Sequence, residues 1–264
     1  MRHDLVVCAY GDSPYLPDCL HSLTRQRGEK IVLTVASSTP SDYQRRCARV
    51  AGARFVVNPQ PPGIGSDWNF ALSIALGPLV TLCHQDDTYM PSFATRTHDL
   101  FAGNPGVVLA STGHVELLAR GPRDPSPVLR FKRLLMANAF LGREVRPARE
   151  IRRRLLGFGN PVSCPSVTFN KKLTADFAFS TSLNSNLDWD AWSRLAEGDH
   201  QFGYINEALV AHRVHTGSAT TQLIANSTRR REDAVMFSRY WPKPVVQMLL
   251  GLYQRSYVSN AVEA

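Results

Sequence analysis

The run Leu79-Val80-Thr81-Leu82-Cys83-His84-Gln85-Asp86-Asp87 starts as uncharged, strand-forming residues and ends on two adjacent carboxylates. That is the pattern of a buried strand delivering acidic groups to the edge of a sheet. Toward the N-terminus, strand-like and helix-like runs alternate: Leu5-Val6-Val7-Cys8, a helix from about Tyr15 to Gln26, Ile31-Val32-Leu33-Thr34-Val35, a polar helix near Ser41 to Val50, Arg54-Phe55-Val56-Val57, and a helix near Ser66 to Leu76. Leu16, Cys19, Leu20 and Leu23 stand three and four apart, as one buried helix face requires. Four strands separated by helices predict the α/β class, with a mostly parallel, doubly wound sheet flanked by helices.

Ligands of such sheets bind beyond the carboxyl ends of the strands. Here those ends are Ala9-Tyr10-Gly11-Asp12, Ala36-Ser37-Ser38-Thr39-Pro40, the Pro- and Gly-rich segment from Asn58 to Gly65, and His84-Gln85-Asp86-Asp87. Small, polar and acidic groups therefore converge on one edge. The adjacent carboxylates repel each other, so they call for a cation or good hydrogen bonding; the alternative is that one caps a helix near Met90 to Ser92 and the other faces water.

Beyond Phe101 the pattern loosens into short strand candidates, Val107-Val108-Leu109-Ala110 and Val115-Glu116-Leu117-Leu118, which places a boundary near residue 120. The second part holds a helical, basic stretch from Val128 to Leu156, an extended segment from Val162 to Phe169, a helix starting near Asp188 and a strand near Phe202. The chain then reads as terminal helices, giving segments 1–120, 121–225 and 226–264. The last helix, Val245 to Val258, is amphipathic, with Lys243 and Arg255 at its flanks; packing on the core is the leading reading and peripheral membrane contact the other.

With 264 residues, 44% hydrophobic and 20% charged, the chain can bury a sizeable core. No apolar stretch approaches the length of a spanning helix, and the N-terminus does not read as a signal peptide, so a cytoplasmic protein is expected. Cys8, Cys19, Cys47, Cys83 and Cys164 are scattered, without a C-x-x-C pair, and read as small core residues. The net charge of +8 comes from arginines clustered at 143, 146, 149 and 152–154 and again at 229–231. A solvated helix face is the plain reading; an anionic membrane surface or a phosphorylated acceptor is the sharper one. Nucleic acid is disfavoured, because no aromatics interleave with the arginines.

Five ordered elements resemble the inverting family-two glycosyltransferases of GT-A fold. Val6-Val7-Cys8-Ala9-Tyr10, followed by Tyr15-Leu16-Pro17-Asp18-Cys19-Leu20-His21-Ser22-Leu23, is similar to their V-V-I-P-T-Y-N…Y-L-x-x-C-L-x-S-L opening. Gly63 to Ala71 is similar to G-x-x-x-A-x-N-x-G/A, and Leu82 to Asp87 to L-D-S-D-D. Leu187-Asp188-Trp189-Asp190-Ala191-Trp192-Ser193-Arg194-Leu195 resembles E-D-Y-D-L-W-x-R-L, and His212-Arg213-Val214-His215-Thr216-Gly217-Ser218 resembles Y-R-I-H-x-x-S.

The resemblance implies a metal-assisted transfer of a sugar, in bacterial-type glycan biosynthesis, from a UDP- or dTDP-sugar to the hydroxyl of a glycan, lipid-linked sugar or small molecule. It assigns residues 1–120 to the nucleotide sugar, 121–225 to the acceptor and the base, and leaves 226–264 as a helical segment. Ala9, Tyr10, Gly11, Ser37, Ser38, Gly63, Asp67, Asn69 and Asp86 are implied for the nucleotide sugar, with Asp86 near the ribose. Asp87 and His215 are implied as ligands of Mn²⁺ or Mg²⁺, an imidazole favouring manganese. Asp188 is implied as the base that deprotonates the acceptor, with Asp190 as its fallback; capping the helix is the alternative role for Asp188. Asn160, Ser166 and Trp189 are implied on the acceptor side.

The chain departs from the family pattern in three places. Ala36-Ser37-Ser38-Thr39 stands where relatives carry D-D-G-S, His84 where the first acid of D-x-D-D would be, and Leu187 before the base. These missing acids motivate the alternative of a non-catalytic nucleotide- or glycan-binding domain of the same fold. A nucleotidyltransferase is the other alternative, although Ala9 to Pro14 lacks the basic phosphate loop of such enzymes.

Overall fold

The computed structural model of the protein describes residues 1–28, 30–119, 121–215 and 228–261. Thr216-Gly217-Ser218 of the last motif and the start of the third segment at 226 lie outside the described residues. The four N-terminal strands form where the hydrophobic pattern predicts: β1 (His3–Ala9), β2 (Ile31–Ser37), β3 (Arg54–Val57) and β4 (Leu79–His84). They are linked by α1 (Leu16–Thr24), α2 (Asp42–Val50) and α3 (Ile64–Ile74). The strands are parallel in the order β3-β2-β1-β4, with Val6 between Thr34 and Leu82.

Alternation along β1 shows why the sheet is covered on both faces. Leu5 and Val7 join one apolar cluster with Leu16, Cys19, Leu20 and Leu23 of α1; Val6 joins the other with Val80, Leu82, Trp189 and Trp192. Burying each large side chain of this kind contributes roughly 1.5–3 kcal/mol. All five cysteines are unpaired, and Cys19, Cys83 and Cys164 are buried, as small core residues should be.

After β4 come a two-residue strand, β5 (Thr88–Tyr89), α4 (Phe93–Gly103), and β6 (Val107–Leu118) with its short partner β7 (Gly121–Pro122). Next are α5 (Pro127–Phe140), β8 (Val145–Pro147), α6 (Ala148–Arg154), β9 (Thr168–Asn170), α7 (Leu187–Leu195) and β10 (Gln201–Arg213). Two helices close the described chain, α8 (Thr228–Ser238) and α9 (Lys243–Ala261). The full order is β3-β2-β1-β4-β9-β6-β10-β5, with β7 on β6 and β8 on β10. β9 runs antiparallel to both β4 and β6, and so joins the two parts of the chain in one sheet.

Three expectations change. The two short candidates between residues 107 and 118 are one strand of 12 residues. The polar Ser111 to His114 interruption marks irregular pairing with β10, whose register shifts between Ile205 and Ala208, where a side chain at Gly113 would meet the Glu207 carbonyl at 2.8 Å. The basic stretch from 128 to 156 is not one helix, because Leu141 and Gly142 turn left-handed (φ 51° and 74°) and β8 intervenes. The segment from 162 to 169 is interrupted by a 3-10 turn, Cys164–Ser166, and only its end is strand.

Several arginines of that stretch are paired: the buried Arg146 with Glu150, and on the surface Arg149 with Asp199 at 2.9 Å and Arg152 with Glu197 at 3.4 Å. In α9, Val246 is buried and Leu249, Leu250 and Tyr253 pack on the core, while Met248 and Leu252 are exposed. Among the described residues no helix is long and apolar enough to cross a membrane.

Candidate active site

The carboxyl ends of β1, β2 and β4 form one corner. Tyr10 and Gln85 lock it: the Gln85 side chain accepts from Tyr10 N–H at 3.1 Å and donates to Tyr10 C=O at 2.8 Å, leaving the Tyr10 ring 61% exposed. Gly11 turns with φ +57°, donates to Thr39 Oγ1 at 2.8 Å and accepts from Gln44 at 2.6 Å. Ala9 is buried, so only its main chain could meet a ligand. Ser37 is also buried, its Oγ accepting from Thr39 N–H at 3.1 Å. Ser38 donates to Asp67 Oδ2 at 3.0 Å while Asn58 donates to Asp67 Oδ1 at 2.8 Å, so Asp67 gathers the ends of β2 and β3 onto the first turn of α3.

Gly63 precedes α3, and its carbonyl accepts from Asp67 N–H. Gly65 is needed for closeness: a Cβ there would lie 2.5 Å from the Ser180 carbonyl. Asn69 is spent on the main chain, donating to Phe179 C=O at 3.0 Å and accepting from Phe179 N–H at 2.7 Å. It clamps the 179–180 segment and is not free to bind a sugar.

The adjacent carboxylates part company. Asp86 is partly exposed, accepts from Ser13 at 2.6 Å and faces His215 Nε2 at 3.2 Å. Asp87 is 1% exposed, and its Oδ1 accepts from His212 Nδ1 at 3.0 Å and Arg213 N–H at 2.8 Å. Burial alone would raise the Asp87 carboxyl, but the charge and hydrogen bond of His212 outweigh it and hold it below the ordinary value. The same pairing raises His212 against its own burial. Asp87 Oδ2 is buried without a hydrogen-bond partner. One contact of His215 is therefore with Asp86, the neighbour of the Asp87 expected to share a metal with it. Neither Asp86 nor Asp87 caps α4, which has no side-chain cap. Among the described residues no three His, Cys, Asp or Glu side chains are grouped to hold a metal by themselves.

Asp188 stands in the first turn of α7. Its Oδ2 accepts from Asn160 at 2.7 Å and its Oδ1 from Trp189 N–H at 2.8 Å. Burial raises its carboxyl above the ordinary value, against the lowering pull of Arg229, of these two hydrogen bonds and of Lys132. Asp190 is 4% exposed and held by Arg194 at 2.8 Å and Arg239 at 2.7 Å. Both of its oxygens are committed to structure, which removes it as a fallback base. Cys164 lies within electrostatic range of both Asp188 and Asp87, so the two carboxylates border one region.

Two acceptor-side expectations fail. Trp189 is fully buried, its indole donating to Leu156 C=O at 3.0 Å and packing edge-on to Phe237, so it cannot stack on a ligand. Ser166 is fully buried and donates to Ser163 C=O at 2.7 Å within its 3-10 turn. Periodicity alone could not show that both side chains are spent in the core. Asn160 holds Asp188, which its place between Gly159 and Pro161 did not disclose. Gln85 and His212 lie inside the quoted motifs and Ser13 between two of them, but only their contacts give them roles.

Similarity to known proteins agrees with this arrangement. The family described as glycosyl transferase family 2 matches residues 4–172. No curated protein matches the sequence. Among solved structures, residues 1–349 of S. aureus TarS are similar at 13% identity and a TM-score of 0.65, over 95% of this chain and 69% of that one. The mannosyltransferase PcManGT from Pyrobaculum calidifontis, in complex with GDP-Man and Mn²⁺, is similar at 15% identity and a TM-score of 0.66, over 99% and 73%. Glucosyl-3-phosphoglycerate synthase from Mycobacterium tuberculosis, in complex with Mn²⁺ and UDP-glucose, is similar at 18% identity and a TM-score of 0.58, over 90% and 78%. At these identities the structures show the fold; the family match covers well over half of the chain.

Proposed function

The chain belongs to glycosyl transferase family 2, and on that premise we propose that it moves a sugar from a nucleotide-sugar donor to a hydroxyl acceptor, with inversion at the anomeric carbon. The observation that carries this reading is the contrast between Asp188 and Asp190. Asp190 is neutralised by two arginines bonded to its two oxygens, whereas Asp188 is oriented by an amide and a backbone N–H, with Arg229 acting on its charge. A carboxylate raised by burial and fixed in direction is suited to take a proton from an attacking hydroxyl.

The donor end of the reading rests on the opposite corner. The exposed Tyr10 ring, on a main chain held by Gln85, offers a platform for a base, and Gly11 leaves room beside it. Ser38 and Asp67 line the same corner, Ser38 standing where the family carries acids. A UDP- or dTDP-sugar is the donor we favour. Complexes of similar structures with UDP-GlcNAc, UDP-glucose and GDP-Man support nucleotide sugars as the class.

A divalent ion fits Asp86 and His215. A hard carboxylate oxygen and an imidazole face each other, both partly open to solvent, and two protein ligands leave coordination positions for phosphate oxygens. The imidazole favours Mn²⁺ over Mg²⁺, and two similar structures contain Mn²⁺. When bound, such an ion supplies charge stabilisation to the departing diphosphate. Asp87 is then the buried anchor that holds the end of β10, and with it His215, against β4.

Thermal stability with nucleoside diphosphates and nucleotide sugars, with and without Mn²⁺, tests the reading, because a ligand specific to the folded state raises Tm. One nucleotide should stabilise the wild type in a metal-dependent way, fail to do so in Asp86→Ala, and still do so in Asp188→Asn. If no nucleotide shifts the wild type under any metal condition, the reading falls.

A further inference from the structure

Along α5, Leu129, Met136, Ala139 and Phe140 are buried in the core. If the opposite side of the helix met only water, its residues should be polar. They are not. Phe131 is 52% exposed, Leu134 65% and Leu141, which caps the helix, 52%. Spaced three and seven apart in sequence, they form one outward stripe about 15 Å long. Leu141 is costly as well as exposed. It stands in the left-handed region at φ 51°, where glycine or asparagine is the ordinary choice at a helix end, and half of it remains in water. Strain that packing does not repay points to a use outside the fold.

The charges beside the stripe are of one sign. Arg130 and Arg133 stand next to it on α5, Arg143 follows Leu141, and all three are exposed. Among the described residues none of them pairs with a carboxylate: Arg130 donates to Pro125 C=O at 3.1 Å and Arg133 to His114 C=O at 2.9 Å. The arginines that follow differ, since Arg146, Arg149 and Arg152 each meet an acid. The acids nearest in sequence, Asp124 and Glu144, lie beyond the two ends of the helix, and Glu144 faces Arg96 at 3.6 Å. Lys132 belongs to the inner side, within range of Asp188 and Glu116. Phenylalanine and leucine edged by arginines, with no acid among them, is the chemistry of a helix lying in the headgroup layer of an anionic bilayer. A protein partner fits less well, because a stable interface covers roughly 800 Å² on each side and this stripe is one side chain wide.

We propose that the outer face of α5 docks the protein on an anionic lipid surface, with Phe131, Leu134 and Leu141 entering the acyl boundary and Arg130, Arg133 and Arg143 meeting lipid phosphates. The inner side of the same helix, with Leu129, Lys132 and Met136, borders a recess that Pro161 also lines, next to the Asn160 that holds Asp188. Only the width of one helix, about 10 Å, separates the two sides. An acceptor carried on a lipid would therefore be delivered beside the base; that consequence rests on the transferase reading, and the docking does not.

Sedimentation of the full chain with lipid vesicles tests the proposal. The protein should pellet with phosphatidylcholine vesicles containing about a third phosphatidylglycerol, not with phosphatidylcholine alone, and less as salt rises. Arg130→Gln with Arg133→Gln should weaken binding roughly thirtyfold, five- to sixfold for each arginine. Phe131→Gln with Leu134→Gln should abolish it. Leu141→Gly separates docking from folding: it should raise Tm by relieving the left-handed leucine and yet lower vesicle binding. Met248→Gln with Leu252→Gln, on the exposed side of α9, should leave binding unchanged. No pelleting of wild type, equal pelleting on phosphatidylcholine alone, or pelleting indifferent to the α5 variants overturns the proposal. So does a wild type that ignores vesicles but is a dimer by light scattering and a monomer in Phe131→Gln with Leu134→Gln, which would give the stripe to a second copy of the chain. Nucleotide-dependent Tm shifts in the same proteins keep the two readings apart. Shifts in wild type without vesicle binding would sink only the docking; vesicle binding without any nucleotide shift would sink only the transferase reading.

Discussion

Replacing Asp188 and Asp190 separately by asparagine should give opposite phenotypes from the same chemical change. Asp188→Asn keeps an oxygen for Asn160 and removes a carboxylate that burial already disfavours in its charged form, so Tm should hold steady or rise slightly. Turnover should fall by about 10²–10⁴, the usual contribution of a positioned general base. Asp190→Asn leaves Arg194 and Arg239 without their buried partner. Breaking a fully buried pair costs about 3–5 kcal/mol. Here both arginines keep a third or more of their surface in solvent, so about 2–3 kcal/mol is expected after screening. For a chain of this size that lowers Tm by roughly 4–12 °C. Activity per folded molecule should survive. The assay is release of nucleoside diphosphate from the donor found in the stability panel, alongside melting curves at one protein concentration. An Asp188→Asn protein with wild-type turnover, or an Asp190→Asn protein that melts normally but has lost turnover, would refute the assignment.

Two further outcomes follow from the geometry. Asn69→Ala removes both hydrogen bonds to Phe179 and should cost about 1–3 kcal/mol; the loss would show as a lower urea midpoint, and an unchanged midpoint would mean that the clamp carries no weight. Asp233 is fully buried, accepts from Asn186 at 2.7 Å, and is raised by burial from 3.8 to about 6. A folded value above the unfolded one means that its contribution is present below about pH 4 and is lost as pH rises through about 6. Asp233→Asn should therefore stabilise the protein at pH 7, by up to about 3 kcal/mol, with the gain shrinking toward pH 4; a gain independent of pH would contradict the cause given.

What could be read in the sequence was local. β1 to β4 and the helices between them follow from hydrophobic period, and the acidic ends of the strands follow from where the periods stop. α7 was legible from Leu187 onward for the same reason. β5, two residues long, and β9, three, leave too few positions for a period to show. The single strand β6 was hidden because Gly113 breaks the pattern where the ladder shifts.

The sequence by itself determined the class of fold, the family, and the edge of the sheet where chemistry gathers, because strand ends and motif order are properties of neighbouring residues. Only the tertiary structure decided which member of each pair is buried and what it is bonded to. Asp86 and Asp87, Asp188 and Asp190, and His212 and His215 are alike in composition. They differ because residues tens of positions away bury one and leave the other open: Ser13 beside Asp86, Arg213 over Asp87, Asn160 on Asp188 and Arg239 on Asp190. Burial and hydrogen-bond partners set whether a carboxylate is an anchor or a reagent, and those are fixed by packing across the chain, not along it.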